Sequence, residues 1–259
     1  MKKTTVLQVT LLLLMFSFFA VTCKKDDDGP KPTVLTAATN VQAKINEYKA
    51  LLGQNNGGDP GTKGATGFRE VNWDGLTDAE SAPYLYAPDL FNSPTAPRSR
   101  GIVLSTPGTG LMVSADSNNP TGTPTSFGNI NPTYTPIFPP FSGERLFSPV
   151  GSNIADIRFY VPGTNTKAVV RGFGAVYVDV DRLENAAFEY FDINDKSLGT
   201  YSTPALNNGH VFLGVLFPEA VVHRVRIEYG NSALGPNDGG SVDVSVMDDF
   251  IFGEPQEVK

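Results

Sequence analysis

The sequence predicts one all-β domain, an antiparallel β-sandwich or barrel, over residues 67–255. Beyond Gly67, short apolar or alternating runs are separated by clusters of Gly, Pro and Asn with almost no helical period, and this pattern persists to Gly253. Many short strands joined by turns give that texture. The run Val222–Tyr229 alternates apolar and charged side chains, as a strand packed on one side does. The length is ample for one core and short for two, which favours a single domain.

The N-terminus has the order of a secretory signal. Met1, Lys2 and Lys3 are followed by an almost wholly apolar stretch from Val9 to Val21. This stretch is shorter than the roughly 20 residues that a membrane-spanning helix needs, so a permanent transmembrane anchor is the weaker alternative. We therefore predict a signal peptide over residues 1–22.

Cys23 is the only cysteine of the 259 residues, which excludes an intramolecular disulfide. The segment Ala20-Val21-Thr22-Cys23 resembles the lipobox of bacterial lipoproteins, loosened at Val21-Thr22. The resemblance implies that Cys23 is acylated and becomes the mature N-terminus. The alternative is an ordinary secretory signal followed by an incidental cysteine.

The segment Lys24-Lys25-Asp26-Asp27-Asp28 resembles the export signal that sends Bacteroidetes lipoproteins to the outer face of the outer membrane. The resemblance implies a cell-envelope protein that is lipid-anchored to the outer membrane and exposed at the cell surface. A solvated run of charges is the alternative. Stable anchoring needs more than one acyl chain, because one chain binds a membrane only reversibly.

Residues 23–66 are predicted to form a lipidated tether that contains one short helix. Gly29–Thr36 is rich in Pro and Lys, which favours an extended, solvated chain. A helix follows, with a narrow apolar stripe that either docks on the main domain or leaves the helix marginal in water. The stripe is Val41, Ile45, Tyr48 and Leu52, with Thr39 or Asn40 as N-cap and Gly53 as C-cap. The composition of Gly53 to Thr66 predicts a flexible linker.

The predicted strands are Phe68–Asn72, Gly101–Leu104 with Leu111–Ser114 across a Thr-Pro-Gly turn, Asp156–Val161, Ala168–Val170, Ala175–Val180, Ala187–Phe191, Val211–Phe217, Val222–Tyr229 and Val242–Phe252. A polar turn within Phe191–Gly199 predicts a local hairpin. The segment from Ala115 to Gly143 is rich in Pro and Asn but also carries several aromatic residues, so we expect an ordered loop draped over the sandwich.

Several blocks between Phe141 and Pro255 resemble a family of exported bacterial proteins without an assigned activity. The blocks read FSGERLFSPVGSNIADIRFYVPGTNTKAVVRGFGAVYVDVD, FEYFDINDKSLGTY, VFLGVLFPEAVVHRVRIEYGNSALGP and VDVSVMDDFIFGEP, with GFREVNWDGL upstream. The resemblance covers most of Gly67 to Pro255. It implies a jelly-roll-like β-sandwich and no particular substrate.

Several kinds of chemistry are disfavoured by the residues present. The single thiol is the predicted lipid site, and no Gly-x-Ser-x-Gly motif occurs. The two histidines, His210 and His223, lack metal-ligand spacing, and His223 is expected to be a satisfied structural residue. A net charge of −7 without a basic cluster argues against nucleic acid as a partner.

Four aspartates are the candidate metal ligands: Asp179, Asp181, Asp248 and Asp249. In a regular strand Asp248 shares a face with Val246 and Phe250, and an unpaired charge in such company is too costly to persist. Asp248 must therefore pair with Arg, accept backbone N–H bonds, bind a cation or lie beside a bulge that turns it outward. Structural calcium is one expectation, since calcium takes six to eight oxygen ligands. Other acids, Glu70 among them, are expected to be surface charges.

Ligand binding is predicted at Trp73, Asn72, Asp74 and Tyr134. A flat aromatic ring can stack on the apolar face of a sugar while neighbouring Asn and Asp side chains bind its hydroxyls. The alternative for Trp73 is a core anchor, because large aromatic residues dominate core burial.

The leading hypothesis is a non-catalytic surface lipoprotein whose sandwich binds an extracellular glycan or another extracellular ligand. A structural or adhesive surface protein is the second possibility. A glycoside hydrolase with a carboxylate pair is the third, and it requires two acids that face each other across a cleft.

Overall fold

The computed structural model describes residues 31–258, which contain fourteen strands and one α-helix. The predicted signal peptide, Cys23 and the Lys24–Asp28 segment lie outside the described residues. The elements are β1 (Thr33–Ala37), α1 (Val41–Leu52), β2 (Phe68–Val71), β3 (Ile102–Ser105), β4 (Gly110–Val113), β5 (Phe147–Val150), β6 (Ile154–Phe159), β7 (Ala168–Val169), β8 (Gly172–Val180), β9 (Ala187–Phe191), β10 (Ser197–Ser202), β11 (Leu206–Leu216), β12 (Arg224–Glu228), β13 (Val246–Gly253) and β14 (Gln256–Glu257), with a 3-10 turn at Asp78–Glu80.

Two antiparallel sheets form a β-sandwich with jelly-roll strand order. The seven-stranded sheet runs β1-β11-β8-β13-β5-β4, with β2 also paired to β13, and the five-stranded sheet runs β10-β9-β12-β6-β3. Within them, β5-β13-β8-β11 and β6-β12-β9-β10 carry the eight-strand pattern in which nearly every connection crosses from one sheet to the other. The structure thus confirms the predicted all-β antiparallel sandwich, and β9 with β10 forms the predicted hairpin.

The main core lies between the two sheets and is dominated by aromatic side chains. Phe173 of β8 contacts Phe188 of β9 edge-on, with ring centroids 5.0 Å apart. Two buried tyrosines donate their hydroxyls to backbone carbonyls of the facing sheet: Tyr177 donates to Ala187 O, and Tyr190 donates to Phe173 O. These bonds remove the cost of burying a phenol while keeping the ring area in the core.

Two elements cover different parts of the outer face of the seven-stranded sheet: helix α1 and the Pro-rich segment. Helix α1 packs its predicted apolar stripe there, and the Tyr48 hydroxyl donates to Val215 O at 3.1 Å. Gly214 permits this approach, because a Cβ at that position would lie 2.9 Å from Tyr48 Cδ2. Asn40 occupies the N-cap in a left-handed conformation, but its side chain makes no capping bond. The helix therefore depends on docking rather than on capping. No helix among residues 31–258 is long and apolar enough to cross a membrane.

The Pro-rich segment covers the rest of that face. Phe127, Tyr134 and Phe138 are fully buried and pack with Val178 and Val246 of the sheet. The prediction of an ordered loop draped over the sandwich is confirmed. The aromatic residues provide the buried area that offsets the entropy of ordering a long segment.

The outer face of the five-stranded sheet is charged. In β12 the residues Val225 and Ile227 are fully buried, while Arg224 and Arg226 both bond Asp156 of β6. The alternation predicted for Val222–Tyr229 is thereby confirmed. This face is lined by ion pairs rather than by apolar side chains.

Two segments differ from the tether and linker predicted for them. Thr33–Ala37, mostly within the segment Gly29–Thr36 that was predicted to be extended and solvated, is strand β1 on the edge of the seven-stranded sheet, and Leu35 is buried beneath α1. The predicted flexible linker Gly53–Thr66 is instead held by Arg69, whose guanidinium donates to Asp59 O and Gly61 O at 2.8 Å. Both segments belong to the compact unit that starts at Lys31.

Strands β3 and β4 lie in different sheets, so the Thr-Pro-Gly turn between them crosses the core rather than closing a hairpin. The turn is fastened to the β5–β6 connection, since Thr106 Oγ1 donates to Ile154 O and Thr109 N donates to Val150 O. Strand β13 begins at Val246 instead of Val242. Its register shifts between Met247 and Phe250, which marks a β-bulge.

Candidate functional site

Trp73 lies in the core, which contradicts its prediction as a ligand contact. Its side chain is 0 % exposed, and it stacks on Phe147 with ring centroids 4.4 Å apart. The indole Nε1 donates to Asp248 O at 3.3 Å. A ring that is fully buried among other aromatic residues has no surface left for a sugar. Trp73 is therefore a core anchor, which was the alternative to ligand binding.

Tyr134 is also buried, so its ligand-binding prediction is contradicted as well. The hydroxyl donates to Pro236 O at 2.7 Å and accepts from Gly235 N at 2.8 Å. Asn131 adds bonds to Gly235 O and to the Asn237 side chain, both at 3.0 Å. Tyr134 thus fastens the Pro-rich segment to the connection between β12 and β13.

Asn72 and Asp74 have different surroundings. Asp74 Oδ1 accepts from the backbone N–H groups of Glu144 and Arg145, at 2.8 and 3.2 Å, and so fixes the end of the Pro-rich segment. Asn72 is exposed and lines a surface cavity of about 370 Å³. The same cavity is lined by Lys49, Glu70, Arg100, Ser142 and Asp249. The structure therefore leaves Asn72 available to a ligand and commits Asp74 to the fold.

Asp248 and Asp249 form a hydrogen-bonded pair around Ser142. Asp248 is 0 % exposed, and its Oδ2 accepts from the N–H groups of Phe141 and Ser142 at 2.7 and 3.1 Å. Ser142 Oγ donates to Asp249 Oδ1 at 2.6 Å. Backbone N–H bonds, one of the solutions considered from the sequence, thus satisfy the buried Asp248 carboxyl, which lies beside the bulge of β13.

Burial raises the pKa of Asp248 to about 8, and repulsion from Asp249 adds to the effect. Burial also raises the pKa of Asp249, while Ser142 lowers it. Two carboxyl groups this close titrate as one unit, and the pair therefore retains a proton near neutral pH.

A second group of acids gathers where β8 ends. One carboxylate oxygen from each of Asp179, Asp181 and Asp238 lies within 4.8 Å of the others. Asp179 is the last but one residue of β8 and has φ of 63°, a left-handed conformation unusual for a non-glycine residue. Asp238 comes from the β12–β13 connection, far away in the sequence. The structure thus unites the first two predicted metal ligands with Asp238, which sequence reasoning missed, and separates them from Asp248 and Asp249.

A fourth carboxylate, Asp243, lies beside this group and accepts hydrogen bonds from the chain that follows β8. It is fully buried and accepts from Arg182 N at 3.1 Å and Asn185 Nδ2 at 3.0 Å. Burial raises the pKa of Asp179 to about 7 and that of Asp238 to about 6, and the neighbouring carboxylates add to both shifts. The acids therefore stand close together in an environment that disfavours their charged forms.

A groove of the described surface lies beside the end of β6. Its volume is about 680 Å³, and Tyr160 forms part of its wall together with Asp89, Asn92, Asn165 and Lys167. Asn92 bonds Thr164 O at 2.7 Å and Gly163 N at 3.0 Å, which holds the rim in shape. Asp89 and Asn165 are exposed. The groove thus combines an aromatic ring with several hydrogen-bonding side chains, although none of its residues was singled out from the sequence.

His223 is a structural residue. His223 is 4 % exposed, and its Nδ1 lies 2.8 Å from Ala168 O. Burial lowers the pKa of His223, so the ring is neutral at physiological pH. The satisfied histidine expected from the sequence is confirmed.

No family model matches this chain, and no curated protein does. Among solved structures, the chain is similar to the enzymatically active domain of tailspike protein 4 of bacteriophage CBA120, with 12% sequence identity and a TM-score of 0.31. The match covers 74% of this chain and 23% of the tailspike chain. A likeness at this level carries no argument about fold or activity. By its own strand order, the protein is an antiparallel jelly-roll β-sandwich protein.

Proposed function

We propose that this chain is a surface-exposed, lipid-anchored protein of a bacterial outer membrane whose non-catalytic sandwich binds an extracellular glycan. The anchor is supported by the N-terminal sequence, in which a secretory signal ends at the single cysteine and an acidic segment follows. Stable retention takes two or more acyl chains on that cysteine.

Glycan binding is supported chiefly by one observation, the position of Tyr160 in the wall of the 680 Å³ groove. An aromatic face covers the apolar side of a pyranose ring, while amide and carboxylate groups bind the hydroxyls around its edge. Asn165 and Asp89 are exposed on the same groove and supply such groups. A concave site with few, convergent polar groups is typical of small-ligand binding.

A glycan array probed with the purified full-length protein in detergent tests this function. We expect Tyr160→Ala to abolish retention of any bound glycan. Tyr84→Ala is the matched control, since Tyr84 is 51% exposed and does not line the groove. Failure to retain any glycan would favour the structural or adhesive alternative.

Anchoring is tested separately by membrane fractionation and mass spectrometry. We expect the parent protein in the membrane fraction with acyl mass on Cys23, and a Cys23→Ala form outside it. Equal membrane retention of both forms would contradict the anchor.

A glycoside hydrolase is the second candidate, because Glu70 and Asp249 line one cavity. Glu70 accepts from Lys49 Nζ at 2.5 Å and from Asn55 Nδ2 at 2.7 Å, which fixes its position in the cavity wall. Release of reducing ends from polysaccharides that is lost in Asp249→Asn and kept in Tyr160→Ala would establish this candidate over simple binding.

A further inference from the structure

We propose that Asp179, Asp181 and Asp238 bind one calcium ion at the end of β8. Their three carboxylate oxygens lie within 4.8 Å of one another, a spacing at which a single cation can contact all of them. The site is separate from the Tyr160 groove and does not depend on glycan binding.

The strongest independent indication is one oxygen of Asp179. The residue is 1% exposed, and its Oδ1 accepts from Asn208 N at 2.6 Å. Its Oδ2 is buried and has no hydrogen-bond partner among the described residues. A buried carboxylate oxygen without a partner is costly, and a coordinated cation would remove that cost.

The charge around the site also favours a cation. None of the carboxylates of Asp179, Asp181, Asp238 and Asp243 forms a salt bridge with a basic side chain within residues 31–258. The nearest basic residue in the sequence, Arg182, donates to Gly240 O instead. Within residues 31–258, no basic side chain therefore pairs with the carboxylates of the cluster.

The loops around the cluster are built to keep the acids together. Asn207 Nδ2 donates to Asp181 Oδ1, and Val244 N donates to Asp238 Oδ1 at 2.7 Å. The Pro-rich segment holds the Asp238 connection through Tyr134 and Asn131. Three separate parts of the chain thus bring these carboxylates together without neutralising them.

The donor set selects calcium among the common ions. All three ligands are carboxylates, and neither histidine nor cysteine is among them, which disfavours zinc. Asp181 and Asp238 are half-buried, so an ion can enter from solvent and keep water in its remaining positions. Calcium accepts such an irregular shell of oxygens, whereas magnesium requires near-ideal octahedral geometry.

Calorimetric titration and thermal melting of the full-length protein, first stripped with a chelator, test the proposal. We expect calcium chloride to bind at one site and to raise the Tm by about 5 °C at a hundredfold excess over the dissociation constant. Magnesium chloride at the same concentration should give a smaller shift. Asp238→Asn should weaken calcium binding at least tenfold, while Glu219→Gln, which removes an exposed charge elsewhere, should leave it unchanged.

The Tm values of the parent and of Asp179→Asn, each measured with and without calcium, distinguish a cation site from a cluster of acids that only binds protons. Without calcium, Asp179→Asn should melt no lower than the parent, because it removes a buried charge. With calcium, the parent should melt above the variant. If calcium produces no heat of binding and no change in the Tm of the parent, the proposal is overturned.

Discussion

Arg69 and Glu254 form a salt bridge in which both side chains are 0 % exposed, with Nε 2.8 Å from Oε2. A second bond joins Nη2 to Oε1 at 2.9 Å. Arg69 also donates to carbonyls of the Gly-rich segment and to Ser99 O, while Glu254 accepts from Asn56 Nδ2 and Lys63 N. One ion pair therefore orders a segment whose composition predicts flexibility.

Arg69→Met should lower the free energy of unfolding by about 3 to 5 kcal/mol, because it leaves the Glu254 carboxylate buried and unpaired. Denaturant unfolding measures the loss. Limited proteolysis should show new cleavage within residues 53–66. The double variant Arg69→Met/Glu254→Met should recover part of the stability, since it removes both charges.

Lys44→Met is the control for that experiment. The Lys44–Glu47 pair is solvent-exposed, and such pairs contribute about 0 to 1 kcal/mol. Equal losses in Arg69→Met and Lys44→Met would contradict the role of the buried pair.

Stability should fall as the pH rises through the range in which Asp248 ionises. The folded-state pKa of about 8 exceeds the unfolded value of about 4, so the folded state holds a proton that the unfolded state releases between these values. The ionisation of this pair should lower the free energy of unfolding by at most about 1.4 kcal/mol per pH unit. Asp249 faces Asp248 directly, with Lys49 and Glu70 beyond it.

Asp248→Asn removes this ionisation, and its free energy of unfolding should decline less between pH 5 and pH 8 than that of the parent. Urea titrations at several pH values measure the difference. Parallel curves for the two proteins would show that Asp248 does not carry the proton.

Ile45→Ala should lower the free energy of unfolding by about 2 to 5 kcal/mol, because Ile45 is 1% exposed between α1 and the sheet. Leu51→Ala, on the same helix, is the matched control, since Leu51 is 45% exposed and should cost less than about 0.5 kcal/mol. A similar small effect at both positions would mean that the helix contributes little to the folded state.

Trp73→Phe should destabilise the protein on the order of 2 kcal/mol while leaving glycan binding intact. The loss combines buried ring area with the N–H bond to Asp248 O. Thermal melting and the glycan array together check this prediction. Loss of binding at unchanged stability would restore Trp73 as a ligand contact.

Local patterns predicted much of this fold. The spacing of Val41, Ile45, Tyr48 and Leu52 placed α1 at its observed position, and alternation placed β12 with the correct face inward. These features are visible in sequence because they depend on neighbours a few residues apart.

The misses share a physical cause, since each depends on partners distant in sequence. Composition cannot show that Arg69 will bind the carbonyls of a Gly-rich segment, or that β11 needs an edge partner in Thr33–Ala37. The β13 bulge shifts Asp248 out of the regular alternation, and Asp238 reaches Asp179 only through the jelly-roll connection. In the acid cluster, the sequence therefore predicted Asp179 and Asp181, while Asp238 required the structure. The groove lined by Tyr160 also required the structure.

Strand β1 has a mechanical consequence under the proposed N-terminal anchor. Thr33–Ala37 pairs with β11 over five successive positions, from Thr33 opposite Leu216 to Ala37 opposite Phe212. A pull on Lys31 along the strand would load these backbone bonds together in shear, before any force reached the helix behind them. If the anchor is as proposed, a force on the sandwich would thus be borne by the sheet itself.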